Sequence, residues 1–278
     1  MLKVKFVVRN LILYYRDISN VVFSFLGMLI SLIIYILFLK NNLVSSFSYL
    51  DNASEFIDLW MISGLISIVA VTSSLSGFEQ MIDDKNSQKI KDFIINSKIN
   101  KKMIGFLYLI TAFIEAVIST FIFSLICFIY LKAQYTINIP VRNIFKILIC
   151  MLLLIIFSTL LFYLITNFIS TNSSFASFSA LIGTVTGFLS GSYIIVGELP
   201  KLMRKFLDYW PGFGLAAIIR SNLCPIDHVP HLILKKLGII DSNFPILLTC
   251  IEILALLLII YGKLNILKNL NTLISKRK

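Results

Sequence analysis

Few residues in this chain have the types and spacing that catalysis or metal binding requires. The 278 residues include only two histidines and four cysteines. Cys224, His228 and His231 lie close together, but their spacing matches no zinc pattern and a fourth ligand is missing. The sequence has no Ser/His/Asp constellation, no His-Glu-x-x-His motif and no Gly-x-x-x-x-Gly-Lys-Ser/Thr phosphate loop. We therefore expect no catalytic residues, no metal site, no bound cofactor and no ATP hydrolysis by the chain alone.

Two carboxylates, Glu115 and Glu252, fall inside long apolar runs. An ionisable group in hydrocarbon is costly unless it is paired or hydrated, so each is a candidate functional residue. Either acid could bind substrate or carry a proton. Alternatively, each could bond a polar neighbour on an adjacent helix, or face a water-filled cavity without touching substrate. The sequence leaves these alternatives open.

Composition indicates the environment of these residues. The chain is 58% hydrophobic and 14% charged, whereas a soluble domain has roughly a quarter charged residues. The net charge of +11 comes from Lys and Arg in the short polar stretches between apolar runs, which is typical of membrane topology and not of a nucleic-acid interface. Because backbone polar groups in lipid must pair within their own segment, we predict an all-α membrane protein.

The apolar runs predict six transmembrane helices. They are Val21–Leu39, Leu59–Phe78, Ile104–Leu131, Ile147–Ile165, Phe175–Val196 and Phe244–Tyr261. Trp60 is placed like an interfacial anchor. With the N-terminus inside, fifteen of the 25 Lys and Arg residues lie in cytoplasmic segments. The positive-inside rule therefore favours cytoplasmic N and C termini.

Two amphipathic segments flank the early spans. In residues 1–19, Lys5, Arg9 and Arg16 share one helix face opposite apolar residues, which predicts a helix at the membrane surface, with an irregular tail as the alternative. At about 82–97, Ile90, Phe93 and Ile94 recur at helical spacing. This second pattern predicts a short cytoplasmic helix. Its apolar face either docks into a groove of another protein or rests on lipid.

The fifth predicted span contains glycines at i, i+4 and i+8, namely Gly183, Gly187 and Gly191. On one helix, these positions form a face of bare backbone that allows close helix packing. Such faces are common in membrane proteins and do not by themselves indicate transport.

The predicted outer segment 197–243 contains helix-breaking residues. Pro200 and the Trp210-Pro211 pair restrict it to short helical pieces. Aromatic residues around Trp210 would keep these pieces at or within the outer leaflet, which predicts a re-entrant segment.

In their order and content, these segments resemble the membrane subunit of ABC-2-type exporters, which have the type V fold, and especially the small permeases of Gram-positive bacteria. The resemblance covers nearly the whole chain and is carried by Tyr15-Arg16-Asp17, Met81–Lys85 with Lys91-Asp92-Phe93, the block Gly183–Tyr193 with Leu199-Pro200, Trp210-Pro211 and Ile219-Arg220. The chain departs from the family at Lys98 and Ile195, where the family often has proline.

The resemblance implies one transmembrane domain over residues 1–278. Its segments would be a connecting helix at 1–19, spans 1–5 within 20–196, a re-entrant segment at 197–243, and span 6 with a basic tail at 244–278. The segment at about 82–97 would be the coupling helix, docking on the ATPase through Asp84, Lys85, Ile90, Lys91, Asp92, Phe93 and Ile94.

The resemblance also implies partners and a location. Two copies of a separate ABC ATPase subunit, which bind ATP and Mg, would act with this permease and a second permease copy or paralogue in the bacterial plasma membrane. No nucleic acid is expected as a partner.

The expected function is export of a drug, antimicrobial peptide or other amphipathic molecule. One alternative is export of a polysaccharide or teichoic-acid precursor. Another is a proton-coupled secondary transporter that uses Glu115 and Glu252, although the chain halves show no inverted repeat. An integral-membrane enzyme is disfavoured because no acid/base or metal cluster is present.

Overall fold

The computed structural model describes residues 2–50, 52–97, 100–226, 229–239 and 242–275 and contains helices but no strands within those ranges. The α-helices in chain order are α1 Leu2–Arg16, α2 Ile18–Ile34, α3 Lys40–Ser46, α4 Ala53–Thr72, α5 Ser76–Asn86, α6 Lys89–Ser97, α7 Lys101–Gln134, α8 Val141–Thr166, α9 Asn172–Leu189, α10 Lys201–Asp208, α11 Pro211–Leu223, α12 His231–Lys236 and α13 Phe244–Ser275. The all-α prediction is confirmed for the described residues.

Five helical stretches are long and apolar enough to cross a membrane. They are Phe25–Ser46, Ala53–Asn86, Lys102–Gln134, Val141–Thr166 and Phe244–Gly262. These lengths and compositions are compatible with a multi-pass membrane protein. The predicted fifth span, Phe175–Val196, is not among the five, because its helix α9 begins earlier and ends at Leu189.

The bundle is built around the helical stretch Ala53–Asn86. It comprises α4, a 3₁₀ turn at Ser73–Leu75, and α5, and α4 is buried around its whole circumference. A helix that is apolar on all sides is stable only inside other protein or lipid. Here α7, α8, α9 and α11 pack around α4, whereas α13 remains mostly exposed at the periphery.

The first span is longer than its apolar residues predict. After α2 the chain passes through a π-helical turn, Tyr35–Leu39, and continues as α3 to Ser46. The interval between the first two predicted spans, Lys40–Asp58, is expected to be a loop, and this prediction is wrong over its first part. The helix continues past the Lys40 charge because the ammonium group pairs with Asp58, 2.7 Å away.

The predicted helix at about 82–97 is divided into two. Its first residues belong to α5, which ends at Asn86, and the remainder forms α6. Between them Gln88 has a φ of 61°, a left-handed conformation that breaks the helical hydrogen-bond ladder. The break allows α6 to turn away from the axis of α5.

Candidate functional site

A buried carboxylate, Asp84, joins the amino-terminal helix to the bundle. Asp84 has no exposed side-chain area and accepts hydrogen bonds from Arg9 Nη1 at 3.0 Å, Tyr108 Oη at 2.6 Å and Gln80 Nε2 at 3.0 Å. These four residues, the Asp84 cluster, connect α1, α5 and α7. The carboxylate therefore lies inside the bundle and not on its surface, and the expected contact of Asp84 with an ATPase stays a prediction.

The apolar stripe of α6 faces the chain itself. The Phe93 ring packs edge-on against Phe6 at 5.3 Å and beneath the Arg9 guanidinium at 4.8 Å. Ile90 and Ile94 are half-buried against the same core. Phe93 therefore attaches α6 to α1, and the whole stripe packs on this chain, so docking of the stripe in a partner's groove stays a prediction.

The opposite face of α6 is open. Lys91 and Asp92 are exposed, and Ile95 has 74% of its area exposed. Lys85, another expected docking residue, donates a hydrogen bond to the Ile169 carbonyl at 2.8 Å. The surface available to a second protein thus includes Lys91, Asp92 and Ile95, and Ile95 is not among the residues that the sequence singles out.

A second buried carboxylate lies near the other end of the central helix. Asp58 accepts hydrogen bonds from Lys40 Nζ at 2.7 Å, Tyr135 Oη at 2.8 Å and Tyr130 Oη at 3.2 Å, and also from the Tyr35 hydroxyl. This Asp58 cluster attaches the π-helical turn and α3 to α4 and the end of α7. The sequence assigned Lys40 and Asp58 to a loop and gave no signal that they pair.

Arg220 forms a third buried polar contact. It is fully buried, and its Nη2 donates to the Ser190 and Gly191 carbonyls at 3.0 and 3.1 Å. A cation near the end of α9 complements the negative end of the helix dipole. The guanidinium also stacks on Trp60, 5.0 Å from the ring. Trp60 is 1% exposed, so its predicted role as an interfacial anchor is wrong.

The helix breaks within residues 197–243 occur where the prolines are. Pro200 precedes the first residue of α10, and Pro211 is the first residue of α11 after Trp210. Proline suits the first turn because its missing N–H would be unpaired there anyway. The Trp210 ring stacks on Phe206 and packs edge-on against Phe157 in the middle of α8, which places the junction of α10 and α11 beside the interior of the bundle.

The three glycines do not form one packing face. Gly191 lies beyond the end of α9 with a φ of 64°, so the expected i, i+4, i+8 stripe is interrupted. Nothing lies within 4 Å of the position that a Cβ on Gly183 would take, whereas Gly187 is covered by the Tyr193 ring of the same chain. Only Gly187 is a close-packing glycine of α9 in this structure.

The two acids within the apolar runs, Glu115 and Glu252, lie in different surroundings. Glu115 on α7 is 1% exposed and its Oε2 has no hydrogen-bond partner. Ser76 and Glu79 of α5 lie close enough to its carboxyl group to interact with it electrostatically. Glu252 lies on α13, which packs on α8 and α11 and is largely exposed along its apolar stretch. The structure therefore does not bring the two acids into one site.

A cleft of about 590 Å³ lies between α2, the central helix and α9. Its polar lining includes Ser31, Thr72, Ser76, Glu79 and Thr184. A smaller cavity adjoins it at Glu79 and extends to Asn172, the first residue of α9. The volume is in the range of small-molecule sites. The sequence did not predict the cleft, because its walls come from three separated segments.

No protein-family model matches the chain, and a search of curated proteins finds no match. The residues and their geometry therefore carry the functional interpretation. His228 of the weak Cys-His pattern lies outside the described residues.

Proposed function

We propose that this chain is the membrane-spanning permease subunit of an ATP-driven ABC-2-type exporter. In this proposal α9 is the fifth of six spans, although it is shorter and more polar than the other five. The α10–α11 pair is the re-entrant segment. The chain lies in the bacterial plasma membrane with cytoplasmic N and C termini.

The attachment of α6 is the observation that carries the proposal. A nine-residue helix between two long helices exposes Lys91, Asp92 and Ile95 while its other face is fixed to α1. A force applied to the exposed face would reach α1 through Phe93 and would reach α5 and α7 through the Asp84 cluster. This arrangement suits a coupling helix that receives motion from a separate ATPase.

The cleft supports the transport part of the proposal. It combines apolar walls with hydroxyl groups, as expected for a site that accepts an amphipathic molecule. A partner subunit that binds ATP would shift the populations of cleft conformations through its contacts with α6. A second permease copy or a paralogue would complete the pathway.

The proposal is tested by purifying the chain alone and together with any ABC ATPase subunit that is encoded beside its gene. We expect no ATP turnover by the chain alone, a stable complex with the ATPase, and ATP turnover that rises when a transported compound is added. ATP hydrolysis by the isolated chain, or the absence of a complex with any neighbouring ATPase, would contradict the proposal.

A further inference from the structure

The walls of the cleft carry charge of one sign. Glu79 is the charged residue of its lining, and no Lys or Arg lines it among the residues that the structure describes. The other polar lining groups are mainly hydroxyls such as Ser31, Ser73 and Thr184, whose oxygen atoms can orient toward a positive charge. The polar part of the cleft thus favours cations over anions.

Glu115 adds a second carboxylate behind the wall. It is 1% exposed and its Oε2 has no hydrogen-bond partner. The side chains that act on its carboxylate, Ser76 and Glu79, both line the cleft. A buried carboxyl group is compensated either by a proton or by a nearby cation. Glu79 is exposed and lines the cleft, and a positive charge bound beside it would be one source of that compensation.

Two aromatic residues in the lining favour an organic cation over a metal ion as the ligand of the cleft. Phe175 and Tyr193 line the cleft together with Met28 and Val69. Aromatic faces attract organic cations, and apolar side chains accommodate their hydrocarbon substituents. A small hydrated metal ion would gain nothing from these apolar groups.

We propose that the cleft binds an organic cation, a quaternary ammonium or phosphonium type of group attached to hydrophobic substituents. Glu79 would contact the positive charge, Glu115 would strengthen the attraction from behind, and Phe175 and Tyr193 would contact the substituents. The inference deepens the proposed function and rests on it in one respect, namely that the cleft lies on the export pathway.

The test uses the full chain in lipid nanodiscs and two hydrophobic ions of the same shape. Radiolabelled tetraphenylphosphonium is the cationic probe, tetraphenylborate is the anionic control, and binding to empty nanodiscs is subtracted. We expect saturable binding of tetraphenylphosphonium and none of tetraphenylborate. Glu79→Gln and Glu115→Gln should each weaken binding of the cation at least tenfold. Glu252→Gln, which removes an intramembrane carboxylate on α13, should change it less than twofold.

Three results would overturn the inference. The first is equal binding of both ions by the unmodified chain, a comparison that does not depend on any variant folding. The second is unchanged cation binding by Glu79→Gln. The third is complete displacement of tetraphenylphosphonium by millimolar sodium, which would identify an inorganic cation site. Because no ATPase is present, failure here is distinguishable from failure to form an exporter complex.

Discussion

Replacing Asp84 by Asn tests whether the Asp84 cluster holds α1 and α6 on the bundle. The substitution keeps the shape and one acceptor for Tyr108 but removes the charge that faces Arg9. Removing one member of a buried ion pair costs about 3–5 kcal/mol. Since Arg9 retains 30% exposure and so stays partly hydrated, we expect a cost smaller than that range, about 2–3 kcal/mol.

The free energy of unfolding is measured by titrating the purified chain in dodecyl maltoside with sodium dodecyl sulfate, and hydrogen exchange locates the effect. We expect faster exchange in α1 and α6, with α8 unchanged. Asp92→Asn is the matched control, because it makes the same side-chain change on the exposed face of α6. If Asp84→Asn unfolds within about 0.5 kcal/mol of the unmodified chain and α1 exchanges at its original rate, the reasoning is refuted.

Three further substitutions test other contacts. Ile95→Asp should reduce co-purification of the ATPase at least tenfold without lowering stability. Phe93→Asp, in contrast, should lower stability by about 2–4 kcal/mol, because its carboxylate replaces a packed ring. Equal stability of the two variants would contradict the orientation of α6. Gly187→Leu should destabilise the chain by about 1–3 kcal/mol through overpacking. Gly183→Leu, at an open position, should change the free energy of unfolding by less than about 0.5 kcal/mol. The same detergent titration compares the two variants. Arg220→Met should cost about 3 kcal/mol or more because two carbonyls lose their donor, and a melting temperature equal to that of the unmodified chain would show that those bonds are not needed.

The apolar runs predict where the long helices lie because hydrocarbon tolerates few unpaired polar groups. Their ends are predicted less well, because the predicted spans stop at or near charged residues. The helix carrying Asp58 and Asp84 extends past both expected limits, because each carboxylate is neutralised by a cation from a distant part of the chain. Such pairings depend on tertiary structure and have no signal in the local sequence.

The direction of an amphipathic face is also set by tertiary structure. Periodicity correctly identified Ile90, Phe93 and Ile94 as one stripe, but an apolar stripe can pack on a partner, on lipid or on its own chain. Here Phe6, which itself packs on Tyr108, provides the surface on which Phe93 packs. The Gly191 prediction failed for a different reason, since the regular glycine spacing continues past the residue where the helix ends.

The distance between the two carboxylate clusters limits the thickness of a bilayer that could accommodate the chain. Asp58 and Asp84 are 26 positions apart on nearly continuous helix, a separation of about 39 Å at 1.5 Å per residue. This distance exceeds the hydrocarbon thickness of about 30 Å and approaches that of a bilayer with its headgroups. Each ionic cluster can therefore lie at a headgroup layer, and a much thicker membrane would draw one of them into hydrocarbon. Tolerance of hydrophobic mismatch is thus limited by two side chains at the ends of one helix.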